Sequence, residues 1–162
     1  METAVRAFSL TIFSVNGKVT RGQVVTILYR IAGMPSVEGL ENPFQDVSAG
    51  KFYTNAVTWA FNEGIVMGTS ETIFAPDVSI TREQIAAILY RYDGENTVKE
   101  DNLSDFSDGT NVSNFAKDAM NWAVANGLIN GIGTGETATL SAKTTATRSQ
   151  IAVILMRYLT EG

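Results

Sequence analysis

The chain repeats itself, and this restricts its fold before any single residue is weighed. Three segments align without gaps: Thr20-Arg-Gly-Gln-Val-Val-Thr-Ile-Leu-Tyr-Arg30, Thr81-Arg-Glu-Gln-Ile-Ala-Ala-Ile-Leu-Tyr-Arg91 and Thr147-Arg-Ser-Gln-Ile-Ala-Val-Ile-Leu-Met-Arg157. A second element occurs twice, as Trp59-Ala-Phe-Asn-Glu-Gly64 and Trp122-Ala-Val-Ala-Asn-Gly127. A third opens each copy, as Phe44-Gln-Asp-Val47 and Phe106-Ser-Asp-Gly109. One repeat is therefore Phe-x-Asp, a helix carrying Trp, a Gly-bounded loop, and a closing helix opened by Thr-Arg-x-Gln. Residues 44–103 and 104–162 hold complete copies, and residues 1–43 hold only the closing part of a first. The 162 residues are read as one domain.

The closing segments have helical period. Ile85, Ile88, Leu89 and Tyr92 fall at i, i+3, i+4 and i+7, as do Val24, Ile27, Leu28 and Ile31, and Ile151, Ile154, Leu155 and Tyr158. The Trp segments scan likewise, with Tyr53, Ala56, Val57, Ala60 and Phe61 in one and Ala116, Ala119, Met120, Ala123 and Val124 in the other. Gly64 and Gly127 are helix stops. A helix–loop–helix unit cannot bury its stripe alone, so three stripes are expected to share a core.

Thr with Gln three residues on is a capping box, which predicts that Thr20, Thr81 and Thr147 each start a helix. Capping does not explain Arg21, Arg82 and Arg148. A cation at the first helical position opposes the helix dipole by roughly 0.3–1 kcal/mol. Its recurrence leaves two readings open. One is an anion site built from helix N–H groups and a guanidinium. The other is an ion pair with a carboxylate of a neighbouring repeat, for which Asp46, Asp77 or Asp108 would serve. Trp59 and Trp122 lie one step from the apolar stripes and read as packing first and sugar platforms second. Gly68 and Gly131 sit in turns where a ligand can approach backbone N–H groups.

Composition removes whole classes of function. There is no His and no Cys, which excludes imidazole bases, zinc sites with those ligands, thiol nucleophiles and disulfides. No Asp-x-Asp-x-Asp loop follows Phe-x-Asp, so no metal or other cofactor is expected. A net charge of -5 makes nucleic acid an unsuitable partner. No segment has the ~20 apolar residues of a membrane span, so no membrane insertion is expected. The apolar patch of Phe8, Leu10, Ile12 and Phe13 is too short and broken for a signal peptide. It is expected to cover the place of the missing first Trp helix, with homodimer formation through that gap as the alternative.

Phe44-Gln-Asp-Val, Trp59-Ala-x-x-x-Gly-Ile-Val-x-Gly, Phe74-Ala-Pro-Asp and Ile80-Thr-Arg-Glu-Gln, with their counterparts in repeat three, resemble the S-layer homology (SLH) module. The resemblance covers about residues 13–158. It implies an all-α, pseudo-threefold trefoil with a central three-helix bundle and helix–loop–helix prongs, the first prong incomplete. It implies a non-catalytic module that anchors bacterial surface proteins to pyruvylated secondary cell-wall polysaccharide, hence a place at the bacterial cell surface, cell wall or S-layer. The alternative is a structural self-association module that binds no glycan. Carried over by position, the ligand-binding candidates are Arg21, Arg82 and Arg148 with Thr20, Thr81 and Thr147, and Gly68 and Gly131 in the loops. The sequence departs from the family at Gln23, Gln84 and Gln150, where Glu is favoured. It departs again at Leu140-Ser-Ala-Lys143, which stands for Phe-x-Pro-Asp.

Overall fold

The computed structural model describes residues 16–161. Among them stand five α-helices: α1 (Arg21–Ile31), α2 (Thr54–Asn62), α3 (Arg82–Tyr92), α4 (Lys117–Ala125) and α5 (Arg148–Glu161). Single 310 turns at Gly109–Asn111, Asn114–Ala116 and Gly135–Thr137 and isolated β-bridges complete the regular structure of the described residues. The protein is all-α, and α1, α3 and α5 are the three closing segments. The apolar patch at Phe8, Leu10, Ile12 and Phe13, with the cover or dimer contact expected of it, lies outside the described residues.

Capping places the helix starts. Thr20 Oγ1 accepts from Gln23 N while Gln23 Oε1 accepts from Thr20 N, and Thr81 with Gln84 repeats the pair. Thr147 with Gln150 does the same, at 3.3 and 3.0 Å. The Trp helices stop where glycine was expected to stop them: Gly64 and Gly127 follow α2 and α4 by two residues at φ of +71° and +67°.

The described residues fall into two compact units, divided between Ser79 and Ile80. The division runs through repeat two and not along its ends. In the first unit, α1 of repeat one packs on α2 of repeat two; in the second, α3 of repeat two packs on α4 of repeat three. Each unit thus joins a closing helix to the opening half of the next repeat, and the second also holds α5, the closing helix of repeat three.

The core of the first unit is Val24, Val25, Leu28, Ala56, Val57, Ala60 and Phe74, all 0% exposed. Each larger side chain contributes roughly 1.5–3 kcal/mol by leaving water. Ile27 and Ile31 are only half-buried, while Val25 and Thr26 are inside, so the buried face of α1 is rotated from the expected stripe. Trp59 is buried against Tyr29 with ring centroids 5.5 Å apart.

The second unit is built alike around Ile85, Leu89, Met120, Leu140, Ile151 and Leu155. Trp122 packs on Tyr90 at 5.6 Å and on Tyr158 at 6.4 Å. Glu83 is buried and accepts from Ser113 N and Ser113 Oγ at 3.0 and 2.9 Å, tying α3 to the approach to α4. Gly22 stands at the matching place in the first unit, where a Cβ would lie 3.0 Å from the Pro76 carbonyl.

Tyr158 Oη donates to Asp93 Oδ1 at 3.2 Å. Burial first, then the Asp93 carboxylate, push its phenol well above the ordinary 10.0. A raised folded-state value means that the folded phenol holds its proton more tightly than the unfolded one. Its contribution is full below pH 10 and fades as pH rises above it. The urea midpoint therefore falls between about pH 9 and about pH 11, and falls less in Tyr158→Phe. An equal fall in both proteins would remove Tyr158 as the cause.

Candidate functional site

The anion-site reading of Arg21 and Arg82, one of the two left open, needs free amides at the N-termini of α1 and α3, and the structure fills them. Arg21 N and Gly22 N donate to the Val78 and Pro76 carbonyls at 2.9 and 2.8 Å, and Gln23 N to Thr20 Oγ1. Arg82 N and Glu83 N donate to the Thr144 and Ala142 carbonyls at 3.1 and 2.9 Å, and Gln84 N to Thr81 Oγ1. The loop of the next repeat reaches each helix end, so the first three amides already have acceptors.

The same loops receive the arginine side chains. Arg21 Nε donates to the Phe74 carbonyl at 2.9 Å and its Nη2 to the Met67 carbonyl at 3.0 Å, with the guanidinium carbon 4.6 Å from the Phe74 ring centre. Arg82 Nε donates to the Leu140 carbonyl at 2.9 Å and its Nη2 to the Asn130 carbonyl at 3.0 Å. Both arginines are buried, 6% and 5% exposed. Burial lowers the Arg82 proton affinity and the nearby Asp108 carboxylate raises it in part. The guanidinium stays charged, since arginine does not deprotonate in proteins.

The carboxylates of Phe-x-Asp hold the amide side of the same residues. Asp46 Oδ1 and Oδ2 accept from Phe74 N and Ala75 N at 2.9 and 2.7 Å. Asp108 Oδ1 and Oδ2 accept from Leu140 N and Ser141 N at 2.6 and 2.9 Å. Ala75 and Ser141 have φ of 60° and 49°, a region that disfavours residues with a Cβ. Arg and Asp thus clamp one loop residue by its carbonyl and its amide, once in each unit. The sequence reading missed this role of Asp46 and Asp108. Its only signal was the recurrence of Phe-x-Asp some 30 residues before the loop it holds.

A cleft of about 210 Å³ opens in the second unit beside this clamp. It is lined by Arg82, by Leu128, Ile129 and Asn130 of the loop after α4, and by Ser149, Gln150, Val153, Ile154 and Arg157 of α5. Among the described residues Arg82 Nη1 makes no hydrogen bond, and no buried side-chain nitrogen or oxygen lacks a partner. This edge of the guanidinium therefore reaches the surface. Two pinned nitrogens hold the ion, and the third can meet a ligand.

The other candidates have simpler surroundings. Thr20, Thr81 and Thr147 are caps. Arg148 is half-buried in the first turn of α5. Gly68 is Gly because a Cβ there would meet the Ile73 carbonyl at 2.6 Å and the Phe44 ring at 2.7 Å, and Gly131 because a Cβ would run into the Phe106 ring. Trp59 and Trp122 are 5% and 4% exposed and belong to the two cores.

The family model of the S-layer homology domain matches residues 43–86 and 105–152, more than half of the chain and the heart of repeats two and three. The surface-layer 125 kDa protein of Lysinibacillus sphaericus is 34% identical over 87% of this chain and 12% of its own length. The amylopullulanase of Thermoanaerobacterium thermosulfurigenes is 31% identical over 92% of this chain and 8% of its own. The exoglucanase XynX of Acetivibrio thermocellus is 32% identical over 87% and 13%. The chain spans about a tenth of the length of these curated relatives, so the activities in their names are not carried over with the match. Repeated Thr-Arg-x-Gln helices, loops clamped by Arg and Asp, and the match of two full repeats together show that this chain belongs to the S-layer homology domain family.

Proposed function

We propose that this chain is a non-catalytic anchor that binds acidic, pyruvylated polysaccharide of the bacterial cell wall. Membership in a family of wall-polymer-binding domains supports the wall, and a surface-layer relative supports the cell surface as its location. The observation that carries the acidic ligand is Arg82: a buried guanidinium pinned through Nε and Nη2, on the wall of a cleft that no carboxylate among the described residues lines. A carboxylate there gains a charge-assisted contact without ordering a flexible side chain. Arg21 repeats the pinned geometry in the first unit, and Arg148 is the third candidate.

Retention on purified bacterial cell walls tests this. Walls carrying pyruvylated polymer are expected to retain the chain, and walls stripped of that polymer to lose most of it. Equal retention by the two would overturn the glycan reading in favour of self-association.

A further inference from the structure

Every closing segment ends in an arginine, Arg30, Arg91 or Arg157, and neither capping nor the loop clamp employs it. In the second unit Arg157 lies half-buried on the wall of the cleft that holds Arg82. Among the described residues its one hydrogen bond is a long one, from Nη1 to the Leu128 carbonyl at 3.4 Å. Arg82 holds the Asn130 carbonyl of the same loop. One residue separates these anchors, so their α-carbons lie within about 7 Å of each other. Both guanidiniums are thus tied to one short stretch of loop and line the same cleft, where like charges repel.

Among the described residues no carboxylate lines the cleft to offset that repulsion, and Asp108, which attracts Arg82, stands outside that lining. The cleft's other lining groups are Leu128, Ile129, Asn130, Ser149, Gln150, Val153 and Ile154, none of them acidic. Gln150 is the informative member. A capping box accepts Glu or Gln equally well, and Gln150 Oε1 caps Thr147 N at 3.0 Å. Glu would cap the helix and put a carboxylate in the cleft; Gln caps it and leaves the two arginines without a carboxylate in the lining. This happens in a chain whose net charge is -5, so the cleft is positive against the sign of the whole molecule.

We infer that Arg157 and the neutral Gln150 make this cleft a two-cation site, selective for a polymer segment with acidic groups on neighbouring sugars over one with a single acid. Arg82 takes one carboxylate and Arg157 the other, while the exposed side chain of Val153 on the same wall faces ring C–H groups. This rests on the reading of the cleft as the glycan site.

The test titrates the full chain with digalacturonate, galacturonate and neutral lactose, followed through the backbone amide signals of Asn130 and Gly131. Digalacturonate is expected to bind about tenfold more tightly than galacturonate, as one added charge-assisted contact allows, and lactose to leave the signals in place. Arg157→Ala and Gln150→Glu are each expected to bring that ratio close to one while galacturonate still binds. Gln150→Glu keeps the capping box, so its helix forms whatever happens to Arg157→Ala. A ratio near one in the wild-type chain, or no binding of either acid, overturns the inference, as does a preference that survives Gln150→Glu. Wall retention is read separately: equal retention by intact and stripped walls sinks the glycan reading itself, while polymer-dependent retention without an acid preference sinks only the two-cation site.

Discussion

Arg82→Ala lowers the stability of the second unit by about 3–5 kcal/mol. Two buried hydrogen bonds from a charged donor disappear, each of order 1.5–3 kcal/mol. The Leu140 and Asn130 carbonyls lose their donors at the same time. The loop that they belong to also supplies Ala142 O and Thr144 O to the N-terminus of α3, so loosening it uncaps the helix. Urea unfolding checks this in a Trp59→Phe background, where Trp122 reports on the second unit alone. A fall of more than about 1 M in the midpoint is expected. Arg82→Lys keeps the charge but not the forked geometry and recovers little of the loss. A loss under about 1 kcal/mol would show that water replaces the guanidinium at both carbonyls, leaving Arg82 with a ligand role only.

Asp108→Ala acts on the other jaw of the clamp and costs about 2–4 kcal/mol. Leu140 N and Ser141 N lose the carboxylate that accepts from both. Ser141, at a φ of 49°, loses the partner that holds it in that strained region. The guanidinium of Arg82 loses the attraction that opposes its burial. Asp108→Asn restores one acceptor and part of the stability. The same unfolding experiment reads both variants, and the double variant with Arg82→Ala should lose less than the sum of the two, since both residues hold Leu140. Strict additivity would mean that they act on separate structures.

Much of this fold is written locally. The helix starts were legible because a capping box needs only four consecutive residues, and Thr20, Thr81 and Thr147 cap as their Gln partners require. The stops at Gly64 and Gly127 were legible because only glycine takes a positive φ without strain. The burial of Trp59 and Trp122 was the favoured reading of their place beside the stripe. Phe61 was placed on an apolar stripe yet is 37% exposed, and Ile27 and Ile31 are half out of the core. A period of 3.6 locates a face only to within a residue, and the packing of α1 on α2 settled which neighbours went inside.

The arginines show where local information stops. Anion and carboxylate were the two partners weighed for Arg21 and Arg82, because those are the partners that side-chain types advertise. The structure supplies backbone carbonyls, 53 residues away for Arg21 Nε and 58 for Arg82 Nε. Every residue has a carbonyl, so such a partner leaves no mark on the sequence. The sequence by itself determined the repeat, the helices with their caps and stops, and the family. Only the tertiary structure decided that the loop of the next repeat closes over the N-termini of α1 and α3. That closure takes up the amides and two nitrogens of each guanidinium, and in the second unit it brings Arg157 to the loop that already holds Arg82.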